Sequence, residues 1–293
     1  MRWRDARESD NVDDERRASP LRGGASIGLG GLALVVVASL MLGKNPIEIL
    51  GLISQIQNGS VQTDSQGDGQ QTQPPPDAND EQVHFVRSIL GETEDVWGRV
   101  FQETGKQYEQ PRLVLFSGAV RSACGGATTA SGPFYCPGDR KVYLDLSFFD
   151  EMRSRLGGGG DFAYAYVIAH EVGHHVQNQL GIFDAAERAR SRGAPMEGAN
   201  GLSVRQELQA DCLAGVWANR AQARHKWLET GDVEEALGTA TAIGDDRLQR
   251  QSQGTVVPDA FTHGTSQQRV RWFKAGFESG DVNRCDTFGA GAL

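Results

Sequence analysis

His170, Glu171 and His174 stand in the order His-Glu-x-x-His within AYAYVIAHEVGHHVQNQLGI, residues 163 to 182. On an α-helix, residues four apart lie on one face, so the two imidazoles can close on a single divalent cation. Glu171 sits beside the first imidazole, where its carboxylate can take a proton from a water held at the ion. Two imidazoles, Zn2+ and a carboxylate base are the parts needed to hydrolyse a peptide bond. A catalytic zinc site ordinarily has a third protein ligand. The best candidate is Glu207, on a second helical stretch, with Asp211 four residues later on the same face. Asp211 would accept the other ring N–H of a ligand histidine and fix its orientation; Asp211 as ligand in place of Glu207 is the competing arrangement. His175 projects about 100° away from His174 and is expected to be structural.

These side chains need two helices to carry them. Gly157–Gly160 break the chain before the first, Asp161 is its expected N-cap, and Gly181 follows Leu180 as its C-cap. Ala165, Ile168, Val172 and Val176 form an apolar stripe that leaves the opposite face for chemistry. Ser203, with Gln206 three residues on, reads as a capping box opening a helix over Val204–His225. Further helices are expected over Glu81–Gly105, Phe148–Leu156, Val233–Ile243 and Ser266–Gly276, and strands over Arg112–Ser117 and Lys141–Leu146. The fold class is therefore α+β, mostly helical with a small sheet, and one transmembrane helix is expected before the domain.

That helix is expected over residues 23–43, which carry no charge and are long enough to cross a bilayer's hydrocarbon core. Residues 1–22, with Arg16, Arg17 and Arg22 near the apolar stretch, read as a cytoplasmic tail by the positive-inside rule. Residues 44–79 are rich in Gln, Gly, Ser, Asp and Pro and read as a flexible linker. The domain then occupies 80–293. The expected placement is single-pass in the cytoplasmic (inner) membrane, N-terminus inside and the domain extracytoplasmic or periplasmic.

The 293 residues carry a formal net charge of −9, which argues against nucleic acid as a main partner. All four cysteines follow the apolar stretch. In an oxidising compartment, Cys124–Cys136 would staple the Gly-rich loop between the two strands, leaving Cys212 and Cys285 to tie the C-terminal segment to the helix of Asp211.

HEVGHH and ELQADCLAGVW resemble the bacterial neutral zinc metallopeptidases of the YpfJ type, as do GPFYCP, VYLDLSFF and FTHGTSQQRVRWF. The resemblance spans about residues 80–290. Glu207-x-x-x-Asp211 is also similar to the element of gluzincins, which implies a zincin-like domain with Glu207 as zinc ligand and Asp211 behind it. Thr262-His263-Gly264…Arg269 looks like the Thr-His-Pro…Arg element of membrane-bound CAAX-type and heat-shock zinc endopeptidases, departing at Gly264. That likeness implies that His263 and Arg269 are catalytic, stabilising an oxyanion or holding substrate backbone. The plainer alternative is that Arg269 pairs with a carboxylate and His263 caps the helix near Ser266.

The sequence thus predicts a membrane-anchored zinc endopeptidase acting on peptides or proteins. The alternative is a tethered binding or scaffold protein with a structural zinc, which would need a site saturated by protein ligands.

Overall fold

The computed structural model describes residues 1–17, 80–156, 159–289, 291 and 293. The transmembrane helix expected over 23–43 and the linker over 44–79 lie outside these residues. Among the described residues no helix is long and apolar enough to cross a membrane.

Strand β1 (Val12–Asp14) is followed by helix α1 (Glu81–Glu103), then by strands β2 (Arg112–Phe116), β3 (Ala119–Ser122), β4 (Gly125–Thr128), β5 (Phe134–Cys136) and β6 (Lys141–Asp145). Helices α2 (Ser147–Glu151), α3 (Asp161–Gln179), α4 (Ile182–Ser191), α5 (Leu202–His225), α6 (Asp232–Ala242), α7 (Asp245–Gln253) and α8 (Ser266–Ser279) complete the chain. The main sheet has the order β1-β2-β6-β5. Its first three strands are parallel, and β5 runs antiparallel to β6 at the edge. β3 and β4 form a separate hairpin. Mostly helical with a small sheet is the architecture expected.

Asp80 caps α1, its carboxylate accepting from the N–H groups of Gln82 and Val83. The helix then buries Phe85, Val86, Ile89, Leu90, Val96 and Trp97 against the sheet and α3. Helix α3 lies at the centre of the core and buries nearly every side chain it carries. Gly160 rather than Asp161 occupies its N-cap position, and Asp161 instead accepts from the Trp3 indole at 2.8 Å.

Two close helix contacts depend on glycine. A Cβ on Gly173 of α3 would sit 3.1 Å from the Ala210 carbonyl oxygen of α5, and one on Gly276 of α8 would sit 1.9 Å from that of Cys212. These approaches draw α3, α5 and α8 into one layer. The start of α5 also differs from the expected capping box. The Leu202 and Ser203 N–H groups donate to the carbonyls of Pro195 and Met196 in the preceding turn, so Gly201 takes the N-cap position. A capping box does occur at α8, between Thr265 and Gln268. Cys124 is bonded to Cys136, and Cys212 to Cys285.

The first residues depart most from expectation. Residues 1–17 are not a tail apart from the domain; they belong to the same compact unit as the residues from 80 onward. β1 pairs in parallel with β2, Val12 opposite Leu113, while Trp3 is buried edge-on against Phe85 at 5.2 Å between ring centroids. Buried Glu94 of α1 accepts from Arg7 at 2.7 Å, Ser9 at 2.5 Å and Asn11 at 2.7 Å. A buried carboxylate needs such partners, and among the described residues they come from the N-terminal segment.

Candidate metal centre

Because Gly173 lets α5 lie directly on α3, the carboxylate of Glu207 comes between the two imidazoles. Glu207 Oε2 is 3.2 Å from His170 Nε2, and its Oε1 is 3.4 Å from His174 Nε2. The donor atoms of His170, His174 and Glu207 all lie within 4.8 Å of one another.

Both imidazoles are oriented from behind. His170 Nδ1–H donates to Asp211 Oδ1 at 2.9 Å, and His174 Nδ1–H to Gln177 Oε1 at 2.8 Å. The Gln177 amide is fixed in turn, donating to the Gln206 carbonyl at 2.7 Å. With each Nδ1 committed to an acceptor, a neutral imidazole turns the bare lone pair of Nε2 toward the Glu207 carboxylate. Only a proton or a cation between them makes that arrangement favourable. Zinc–ligand bonds of roughly 2.0–2.1 Å in tetrahedral geometry put neighbouring donors about 3.3 Å apart. The two separations to the carboxylate bracket that value, and with all donor atoms within 4.8 Å of one another the three residues could hold a metal ion such as zinc.

Asp211 is the hub of the layer behind the ligands. It is fully buried and receives Arg269 Nε on Oδ2 at 2.8 Å, Arg269 Nη2 on Oδ1 at 2.9 Å, and the Tyr166 hydroxyl. Burial works against a charged carboxylate here, but Arg269 and His170 outweigh it and draw the Asp211 pKa down to about 2. Glu207 is likewise held well below the ordinary carboxylate range, burial being overcome by His174 and His170.

The centre opens into a cavity of about 430 Å³. Glu171 lines it beside the ligands, and no hydrogen bond among the described residues engages its carboxylate. His263 also lines the cavity, with its side chain half exposed. Asp245 holds it there: Oδ2 accepts the N–H groups of Thr262, His263 and Gly264 at 2.7, 2.6 and 3.0 Å, and Oδ1 lies 3.2 Å from His263 Nδ1. The bond to Asp245 raises the His263 pKa. Gly264 has φ +89°, which proline cannot adopt, so the departure from Thr-His-Pro has a structural counterpart. Arg269, by contrast, is only 3 % exposed and spends its guanidinium on Asp211. It supports the ligand layer, and the cap of α8 belongs to Thr265 rather than His263.

His175 is buried away from the ligands, its Nε2 2.6 Å from the Glu109 carbonyl oxygen and its Nδ1 3.1 Å from the Tyr135 hydroxyl. Through Tyr135 and the amide of Asn178, α3 is bolted to β5.

Gln177, Tyr166 and Asp245 were not singled out by the sequence. Gln177 lies three residues beyond His174 on the same helix, a spacing that could have marked it. Tyr166 lies one turn before His170, a spacing that could have marked it too, whereas Asp245 reaches its partners across the fold and carries no local signal.

A His-Glu-x-x-His helix meeting a glutamate from a second helix, with a carboxylate behind the first histidine, is the arrangement of an HExxH-type metal site. Residues 1–288 match the family described as "putative neutral zinc metallopeptidase", and the chain belongs to that family. It is 52% identical to the uncharacterized protein YpfJ of Escherichia coli K12 over 295 residues, covering 99% of each chain. The uncharacterized protein Mb2605 of Mycobacterium bovis is 46% identical over 197 residues, 64% of this chain and 65% of its own. No solved structure matches.

Proposed function

We propose that the protein is a zinc-dependent endopeptidase with Glu171 as its general base. The observation that carries the reading is the pair of imidazole Nε2 atoms facing one Glu207 carboxylate at 3.2 and 3.4 Å, beside an open cavity. A zinc ion held by His170, His174 and Glu207 would polarise the scissile carbonyl and lower the pKa of water at the site. Glu171 takes the proton of the attacking water on a carboxylate oxygen and delivers it to the leaving amine nitrogen. His263, steadied by Asp245, is placed to donate a hydrogen bond to the oxygen on which charge develops. Asp211, Arg269 and Tyr166 keep His170 from turning.

An extended peptide is the natural occupant. Strand β6 lies between β2 and β5 and has no free edge to offer it. Of the two edge strands, β5 has Phe134 and Tyr135 lining the cavity, and we read β5 as the strand along which substrate pairs. Phe148, Phe183, Ile243 and Leu248 on the other walls favour apolar side chains near the cleaved bond.

A scaffold protein with structural zinc fits less well. The donor group contains three protein ligands rather than four among the described residues, and it opens onto the cavity. We place the domain in an oxidising compartment outside the cytoplasm, where the two disulfides persist, with the apolar stretch 23–43 as its membrane attachment.

The test compares the full chain with Glu171→Gln for zinc content and for cleavage of a diverse peptide library. The variant is expected to keep its zinc and lose cleavage by about 10²–10⁴-fold. Equal cleavage by both would refute the mechanism.

A further inference from the structure

We propose that the two flanks of residues 18–79 emerge on the same face of the membrane, so that the chain is attached from one side and is not threaded through once. The described flanks meet at the start of α1, where Arg16 Nη1 lies 2.8 Å from Asp80 Oδ2. Asp80 also caps α1 through its other oxygen, so this point is fixed to the core. A single crossing would part the flanks by the hydrocarbon thickness of roughly 30 Å. No adjustment of side chains reconciles that separation with an ion pair.

The contact is not a loose end resting on a surface. β1 completes the sheet at β2, with Asp13 opposite Val114 and Asp14 opposite Leu115. Arg112 of β2 is ion-paired with Asp13 across the same junction. Trp3 and Val12 are core residues, 5% and 6% exposed, and Glu94 depends on Arg7, Ser9 and Asn11 for its hydrogen bonds. Pulling residues 1–17 to the far side of a bilayer would dismantle all of this.

Of the arginines that argued for a cytoplasmic N-terminus, Arg16 is spent on Asp14 and Asp80. Arg7, earlier in the same segment, is bound by Glu94 and Asp95. Two full crossings would also keep the flanks together, but the sequence supplies only one stretch long enough. After residues 23–43, the next apolar run, Pro46–Ile56, is about half the required length and contains Glu48. One-sided attachment is what remains. The inference rests on the strand pairing and not on the peptidase reading, so either can fail alone.

The test uses the full chain in membranes, with the exposed positions Asp5→Cys and Glu187→Cys introduced one at a time. The native cysteines are all in disulfides. Right-side-out and inverted vesicles are treated with a membrane-impermeant maleimide. Both variants are expected to label in the same vesicle orientation and to be protected in the other. Labelling in opposite orientations overturns the proposal, and recovery of the chain wholly in the soluble fraction overturns the membrane attachment it assumes. As a second measurement, the double variant Arg16→Cys/Asp80→Cys is expected to be joined by a short bis-maleimide within one chain. Failure to cross-link, with each single variant labelled, also overturns it.

Discussion

Asp211 and Arg269 are locked together by two parallel hydrogen bonds of 2.8 and 2.9 Å behind the metal centre, both almost sealed from solvent. Asp211 therefore divides its oxygens between a permanent cation and the His170 ring. A buried pair of this kind is costly to break from one side, because the remaining charge has no water to turn to. Arg269→Met is expected to destabilise the fold by about 3–5 kcal/mol, measured by denaturant unfolding of the metal-free protein.

Asp211→Asn is a milder change, keeping the size of the side chain. It weakens the acceptor that holds His170 Nδ1–H at 2.9 Å and so loosens the ring. Zinc affinity is expected to fall by roughly 10–100-fold, as for other groups that orient metal-bound histidines. Competition with a chromophoric chelator measures it. Unchanged affinity would remove Asp211 from the metal centre.

The metal-free protein should carry a proton that zinc must displace. Burial would lower the His170 pKa, but Asp211 and Glu207 outweigh it and raise it to about 10. At neutral pH the imidazole is then protonated, and zinc uptake releases about one proton from it. Titration calorimetry in buffers of different ionisation enthalpy reads that proton directly. The same shift has a signed effect on stability without metal. Since the folded pKa lies above the unfolded value of about 6.5, this contribution is complete below pH 6.5 and is lost as pH climbs toward 10. Thermal unfolding of the metal-free protein across that range should show the decline.

Trp3 is buried against Phe85, in a segment that looks dispensable by its position in the chain. Trp3→Ala is expected to cost about 3–5 kcal/mol, read from the urea midpoint. Removing residues 1–17 should be worse, since it also strips Glu94 of three hydrogen bonds. A truncated protein beginning at Asp80 with full stability would contradict the structure.

The ligand helix was legible because metal chemistry forces a spacing: two imidazoles on one face must be four residues apart, and that survives any change of surroundings. Glu207 and Asp211 could be paired with it for the same reason, their own spacing repeating one helical turn. Strand β1 had no such regularity. Val-Asp-Asp offers no alternation of apolar and polar residues, and its partner lies about a hundred positions away. Helix α7, DDRLQRQSQ, contains a single large apolar residue, so no stripe announces it, yet its first residue, Asp245, positions His263. Contacts made across the fold leave no period in the sequence; contacts made along a helix do.

Gly173, between the two ligand histidines, acts as a gauge for the metal centre. A methyl group there would press within 3.1–3.2 Å of the Ala210 backbone and act as a wedge, prising Glu207 away from the imidazoles by a few tenths of an ångström. The absent side chain in HEVGHH thus sets how near Glu207 comes to the two imidazoles.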